Sequence, residues 1–92
     1  MVVVVTYDIP DDSRRSKLQR RLRGWLHPVQ RSVFEGEIPP RSLPKLVRVV
    51  EGCTWADQDD VRIYVLCGGC CGSTLLMGRA RRVPGRQDPV VV

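Results

Sequence analysis

The chain has 92 residues, a length that fits one domain and leaves little room for a deep core. Hydrophobic residues make up 42% of it and the formal net charge is +5, which excludes a disordered basic tail and favours a partner that carries phosphate. Because no apolar run approaches the roughly 18 residues that span a bilayer and no signal peptide is visible, we expect a soluble, cytoplasmic protein with no membrane partner.

The first predicted elements are a strand and a basic helix. The run Val2–Asp8 is rich in β-branched residues and predicts a buried central strand, which Pro10 ends. Asp11 or Asp12 can cap the helix that follows. One apolar stripe of this helix is formed at i, i+4, i+7 and i+8 by Leu18, Leu22, Trp25 and Leu26. Most of its other positions are cationic: Arg14, Arg15, Lys17, Arg20, Arg21 and Arg23.

The middle of the chain predicts a further strand region, a second helix and a third strand. Residues 29–38 are the strand region, where Gly36 marks a bulge or a close backbone approach. Only residues 27–39 separate the helices, so we expect one short or bent strand that continues into a longer one. Ser42 is a candidate N-terminal cap for the second helix, and Gly52 is its predicted C-terminal stop. Residues 61–67 predict the third strand.

The C-terminal part predicts a short strand at residues 73–77, an Arg-rich stretch at 78–86 and a terminal valine run. Three valines cannot stand alone as a strand, so Val90, Val91 and Val92 are expected to add to the edge of a sheet. In a dimer, this would be the sheet of the partner protomer. The predicted fold is an α+β, ferredoxin-like βαββαβ sandwich. We divide it into a ferredoxin-like domain at 1–77 and a basic segment with a C-terminal strand at 78–92.

Four cysteines are present: Cys53, Cys67, Cys70 and Cys71. Three of them crowd into five positions, which favours reduced thiols over a disulfide framework. Cys67 and Cys70 have the spacing of half a zinc site, but no second close pair completes it. The role of this cluster stays open at the level of sequence.

Asp8 is the first candidate for chemistry, because it stands at the end of the predicted central strand. Magnesium takes oxygen ligands, keeps several waters and often uses one or two carboxylates. One Asp per chain is a poor site, whereas two copies that meet across a two-fold axis make a better one. The alternative is that Asp8 only begins a turn, with Asp11 and Asp12 as helix caps.

Four segments together resemble one known family. They are residues 4–12 (VVTYDIPDD), 14–18 (RRSKL), 30–37 (QRSVFEGE) and 60–67 (DVRIYVLC). This ordered set resembles the second CRISPR-associated (Cas) protein family, the small subunit of the complex that captures new spacers. The likeness covers almost all of residues 1–67, and the terminal valines are similar to that family's last strand.

The resemblance implies a ferredoxin-like homodimer that acts as a metal-dependent endonuclease on single-stranded RNA or double-stranded DNA. The family's acidic residue at the end of the first strand matches Asp8, beside Tyr7, and two Asp8 side chains across the dimer axis would hold magnesium. Tyr7 and Asp8 are thus the predicted catalytic residues, and Phe34 matches an aromatic near the site. The predicted nucleic-acid contacts are Arg14, Arg15, Lys17, Arg20, Arg21 and Arg31.

The resemblance also implies a second role without turnover. In it, the homodimer is an adaptor that holds double-stranded DNA and bridges two dimers of the larger CRISPR integrase subunit. A basic surface that contacts phosphates and not bases suits this role. The residues alone leave both readings open.

Overall fold

The computed structural model describes residues 1–68, 75–77 and 90–91. Its elements alternate between strands and helices in the predicted order. They are β1 (Val2–Asp8), α1 (Asp12–Leu22), β2 (His27–Gln30), β3 (Val33–Glu37), a 3-10 turn (Pro40–Ser42), α2 (Leu43–Glu51), β4 (Asp60–Leu66), β5 (Leu75–Leu76) and β6 (Val90–Val91). The α+β prediction is confirmed.

Strand β1 lies inside a four-stranded antiparallel sheet of order β2-β3-β1-β4. It pairs with β3 on one side, where Val3 lies opposite Gly36, and with β4 on the other, where Val3 lies opposite Val65. The β-branched run suits this central position, because its side chains pack on both faces of a sheet. This strand order is the ferredoxin-like arrangement that the sequence predicts.

Both helices pack on the same face of the sheet. Val3, Val5 and Tyr7 alternate along β1 and are buried, as the side-chain period of two in a strand requires. They share one core with residues from β3 and from each helix: Leu18, Leu22, Phe34, Leu46 and Val50. Asp8 is exposed and, by the same alternation, belongs to the face without helices.

The helix ends follow the predicted signals in part. The Asp11 side chain caps α1 by accepting a hydrogen bond from the backbone N–H of Arg14 at 2.8 Å. Ser42 precedes α2 as predicted but makes no side-chain capping bond, and Pro44 lies in the first turn, where its missing N–H costs nothing. Gly52 follows the last residue of α2, as expected.

Between the helices the chain forms two short strands, β2 and β3, where we expected one short strand that continues into a longer one. The register of β2 shifts between Pro28 and Gln30, and a tight turn at residues 31 and 32 separates the strands. Ser32 has φ 65°, the left-handed conformation that permits so short a connection. The predicted close approach at Gly36 is confirmed, because a Cβ there would lie 3.1 Å from Cδ2 of Leu26.

In the C-terminal part, β5 and β6 form a parallel pair in which Leu75 lies opposite Val90 and Leu76 opposite Val91. The prediction that the terminal valines add to a partner's sheet stays a prediction, and Val92 lies outside the described residues. So do the Arg-rich stretch at 78–86 and the Cys70 and Cys71 positions. No helix in the described part of the chain is long and apolar enough to cross a membrane.

Candidate functional site

Asp8 closes β1 with an exposed carboxylate on the helix-free face of the sheet. Within the part of the chain that the structure describes, no hydrogen bond or ion pair engages this carboxylate. Its oxygens are therefore available to a ligand. An oxygen donor of this kind fits magnesium, so the residue meets the first requirement of the predicted metal site.

Asp60 lies directly opposite Asp8 in the register of β1 and β4. Two carboxylates in such a cross-strand pair repel each other, which a cation would relieve. Arg62 does so in part, because its Nε donates to Oδ1 of Asp60 at 3.3 Å. Hydrogen bonds with Tyr64 and then with Asp60 raise the pKa of the Arg62 guanidinium above its usual value. No group of three or more metal-binding side chains forms among the described residues, so one protomer supplies two carboxylates at most.

The turn between β2 and β3 lies beside the same end of β1. The backbone N–H of Tyr7 donates to the carbonyl of Ser32 at 3.1 Å, which fixes this turn next to the Asp8 position. Arg31, the preceding residue, is exposed. The structure thus brings a predicted nucleic-acid contact, Arg31, to the end of the sheet that carries Asp8.

Tyr7 is placed differently from its neighbour. Its side chain is buried at 5% exposure, its ring lies 6.2 Å from that of Phe34, and its hydroxyl accepts a hydrogen bond from Nε2 of Gln19 at 3.0 Å. Adjacent strand residues point to opposite faces, so Tyr7 contacts the helices while Asp8 does not. In this structure the Tyr7 side chain and the Asp8 carboxylate share no surface, and Tyr7 acts as a core residue.

Phe34 is also a core residue, at 2% exposure. It lies opposite Val5 in the pairing of β3 with β1, on the face that the helices cover. Its predicted position near the site is therefore one layer behind the surface. It can support the strand that carries Asp8, but it does not reach a ligand there.

Arg15 holds the connection between β1 and α1. Its Nη1 donates to the carbonyl of Ile9 at 2.9 Å, and its Nη2 pairs with the carboxylate of Asp12. Ile9 follows Asp8 directly, so these contacts orient the chain where it leaves the candidate site. Arg15 is a positioning residue here, with about a third of its side chain still exposed.

Arg14 joins α1 to the loop before β4. Its Nε and Nη2 donate to the two oxygens of Asp59 at 3.0 and 2.9 Å, and its guanidinium lies 4.1 Å from the ring centroid of Trp55. Oδ2 of Asp59 also accepts the backbone N–H of Trp55 at 2.8 Å. The hydrogen bond from Arg14 holds the pKa of the Asp59 carboxyl below its usual range. Only 14% of the Arg14 side chain is exposed, so little of it is left for a phosphate.

Three further cations of α1, Lys17, Arg20 and Arg21, are exposed. None of them takes part in an ion pair within the described ranges 1–68, 75–77 and 90–91. They lie on the outer side of α1, away from Leu18 and Leu22, which contact the core. Of the predicted nucleic-acid residues, these three and Arg31 are the ones that the structure leaves available.

Fold and site together define a small ferredoxin-like α+β protein with an acidic strand end on one face of its sheet and a basic helix on the other. The family model described as CRISPR associated protein Cas2 matches residues 1–74. The chain belongs to the Cas2 family.

Individual relatives agree with this assignment. The CRISPR-associated endoribonuclease Cas2 of Nanoarchaeum equitans is 39% identical over 77% of this chain and 76% of its own length. The protein of the same name from Mycobacterium tuberculosis is 36% identical over 95% of this chain and 74% of its own. A hypothetical protein of Thermus thermophilus has a solved structure that is similar at a TM-score of 0.70 and 34% identity, covering 94% of this chain and 96% of the other.

Sequence reasoning missed Asp60, Asp59 and Trp55 as parts of this region. The third strand is predicted to begin at residue 61, after Asp60, and no local spacing connects Asp60 to Asp8. The signal that could have found it is antiparallel pairing, because β4 begins where β1 ends. The Arg14–Asp59 pair spans 45 residues and leaves no trace in local periodicity.

Proposed function

We propose that this chain is a metal-dependent endonuclease of CRISPR spacer acquisition that works as a homodimer. The observation that carries the proposal is the exposed carboxylate of Asp8, which no other described residue engages. The names of the relatives from Nanoarchaeum equitans and Mycobacterium tuberculosis, both endoribonucleases, support the nuclease reading. A cytoplasmic location is part of this proposal, since its substrates are RNA or DNA.

The second protomer completes the site in this proposal. A two-fold axis at the helix-free face of the sheet brings two copies of Asp8 together, each with Asp60 opposite it. Tyr64 is 47% exposed, and by its register with Val4 it lies on that face, where a second copy could cover it. Magnesium held there would lower the pKa of a bound water and neutralise charge on the scissile phosphate.

The residues around Asp8 have separate tasks. Arg15 orients the chain after the carboxylate through the Ile9 carbonyl. Arg31, exposed at the neighbouring turn, is positioned to contact a phosphate of the substrate. Lys17, Arg20 and Arg21 attract the nucleic-acid backbone to the protein without reading its bases. Single-stranded RNA and double-stranded DNA are both candidate substrates.

One experiment tests the catalytic proposal. Purified wild-type protein and the isosteric variant Asp8→Asn are incubated with single-stranded RNA and double-stranded DNA, with magnesium and with EDTA. We expect cleavage that needs magnesium and falls by about 100-fold or more in the variant, because the charge that holds the metal is gone. Glu51→Gln, which neutralises an exposed acid at the end of α2, should cleave as wild type. Equal cleavage by wild type and Asp8→Asn would end the nuclease proposal.

The second candidate function is a DNA-binding adaptor that bridges two dimers of the larger CRISPR integrase subunit. The exposed cations Lys17, Arg20 and Arg21 favour it, because they can hold phosphates without any metal. Under this proposal, DNA binding falls steeply with salt and a pull-down with the larger subunit succeeds. Binding that does not change with salt would contradict it.

A further inference from the structure

A groove of about 250 Å³ separates α1 from α2 on the outer side of the helical layer. Three cations from two helices line it: Lys17 and Arg21 from α1, and Arg48 from α2. Its remaining lining is Val49, Gly52 and Cys53, none of which carries charge. We name it the α1–α2 groove. Arg48 has no part in the family resemblance and was not among the predicted nucleic-acid contacts.

We propose that the α1–α2 groove binds phosphates of a nucleic-acid backbone and that Arg48 is the α2 residue that contacts them. Each of the three cations is exposed, and within the described residues none has an ion-pair or hydrogen-bond partner. Lys17 and Arg21 are four residues apart and so neighbours on one helix face, where like charges are unfavourable without an anion. A phosphate bound between the helices would neutralise the charges of all three side chains.

The groove and the Asp8 carboxylate lie on opposite faces of the sheet. The helices cover the face of Val3, Val5 and Tyr7, whereas Asp8 belongs to the other face. A phosphate in the groove is therefore not the phosphate that Asp8 could help to cleave. This inference rests on the proposed function and extends it, because it assigns the binding of nucleic acid to a surface that is separate from the metal site.

Arg48 could instead have a purely structural role, and an experiment can distinguish that role from phosphate binding. Arg48 and Arg21 stand in the last turns of their helices, where a cation offsets the negative end of the helix dipole. In that case their replacement lowers stability and leaves binding alone. Measuring the thermal midpoint together with binding distinguishes the two readings.

The test measures binding of a fluorescent DNA duplex by anisotropy, over a range of salt and in EDTA so that no cleavage occurs. Arg48→Gln is compared with wild type and with Arg41→Gln, a matched variant of an exposed Arg in the 3-10 turn before α2, outside the groove. We expect Arg48→Gln to reduce the slope of log affinity against log salt by about 1, while Arg41→Gln leaves it unchanged. The double variant Lys17→Gln, Arg21→Gln should reduce it by about 2.

Several results overturn the proposal. The proposal fails if Arg48→Gln has the same slope of log affinity against log salt as wild type. It also fails if this variant has a lower thermal midpoint and unchanged DNA binding. Competition by millimolar inorganic phosphate as strong as by DNA would make the groove a free-phosphate site. Equal competition by poly-glutamate would assign it to an acidic polypeptide. None of these readouts depends on Asp8, so failure here is distinct from failure of the nuclease proposal.

Discussion

The guanidinium of Arg14 donates two hydrogen bonds to the carboxylate of Asp59 and stacks on the ring of Trp55. This pair joins the first turn of α1 to the loop that leads into β4, across 45 residues of sequence. The Asp59 side chain is fully covered, and its Oδ2 also accepts the backbone N–H of Trp55. Because β4 begins at Asp60, directly opposite Asp8, the contact fixes the position of the candidate site.

Replacing Asp59 is therefore expected to destabilise the fold. Asp59→Asn removes the charge that pairs with Arg14 and leaves a buried donor where an acceptor was needed. We expect a lower urea midpoint than for wild type, and a smaller or no change for Asp57→Asn, an exposed acid of the same loop. Equal midpoints for the two variants would show that the pair contributes nothing to stability.

The same pair predicts how stability depends on pH. The hydrogen bond from Arg14 lowers the pKa of Asp59 in the folded state below its ordinary value of 3.8. The unfolded state therefore binds the proton more readily, so the contribution is fully present above pH 3.8 and is lost as pH falls through the lower, folded-state pKa. Urea titrations of wild type and Asp59→Asn should converge at acid pH. A constant difference down to pH 2 would contradict this assignment.

Tyr7→Phe separates a structural from a catalytic role. The variant loses the hydrogen bond from Gln19 to the Tyr7 hydroxyl, which should cost about 0.5–1.5 kcal/mol in the free energy of unfolding. Because the hydroxyl does not share a surface with Asp8, cleavage per folded molecule should not change. Ser16→Ala, which removes an exposed hydroxyl from α1, is the control and should stay within about 0.5 kcal/mol of wild type. A large loss of cleavage at unchanged stability would restore Tyr7 to the catalytic set.

Gly36 allows the chain around Leu26 to pass close to β3. A Cβ at residue 36 would lie 3.1 Å from Cδ2 and 3.4 Å from Cα of Leu26, in a buried position. Gly36→Val should therefore destabilise the protein by about 1–3 kcal/mol through overpacking, and Gly36→Ala by less, because the Leu26 side chain can shift. Calorimetry measures both. Since the clash is with the Leu26 side chain, Gly36→Val should cost less stability in a Leu26→Ala background than in wild type, and strict additivity of the two substitutions would refute the contact as its cause.

Ser32 holds a left-handed backbone conformation at φ 65° beside the end of β1. This conformation costs a residue with a Cβ about 1–2 kcal/mol, while glycine adopts it freely. Ser32→Gly should therefore leave stability unchanged or raise it by up to about 1 kcal/mol, whereas Ser32→Val should lower it. Thermal unfolding of the two variants gives the comparison. A stable Ser32→Val protein would mean that the turn can adopt another conformation.

Local spacing in the sequence determined the elements and the sides of each element that face the core. A period of two along the β-branched run of β1 and a period of about four between Leu18 and Leu22 indicate which side chains face the core. The absence of a side chain at Gly36 indicates a close approach of another segment. The resemblance identified Asp8 and the basic helix as features of one known family. The structure confirmed the fold class and the family model confirmed the family, while the roles of Asp8, magnesium and the partners stay predictions.

Only the tertiary structure decided which distant side chains meet. The register of β1 and β4 puts Asp60 opposite Asp8. The packing of α1 brings Arg14 to Asp59. The contact of the two helices puts Arg48 and Lys17 in the same groove. Local patterns cannot encode such pairs, because their geometry follows from how the whole core closes and not from any spacing along the chain. The separation of Tyr7 from Asp8 has the same origin: strand alternation makes them diverge, but burial of one face under the helices decides which of the two meets solvent.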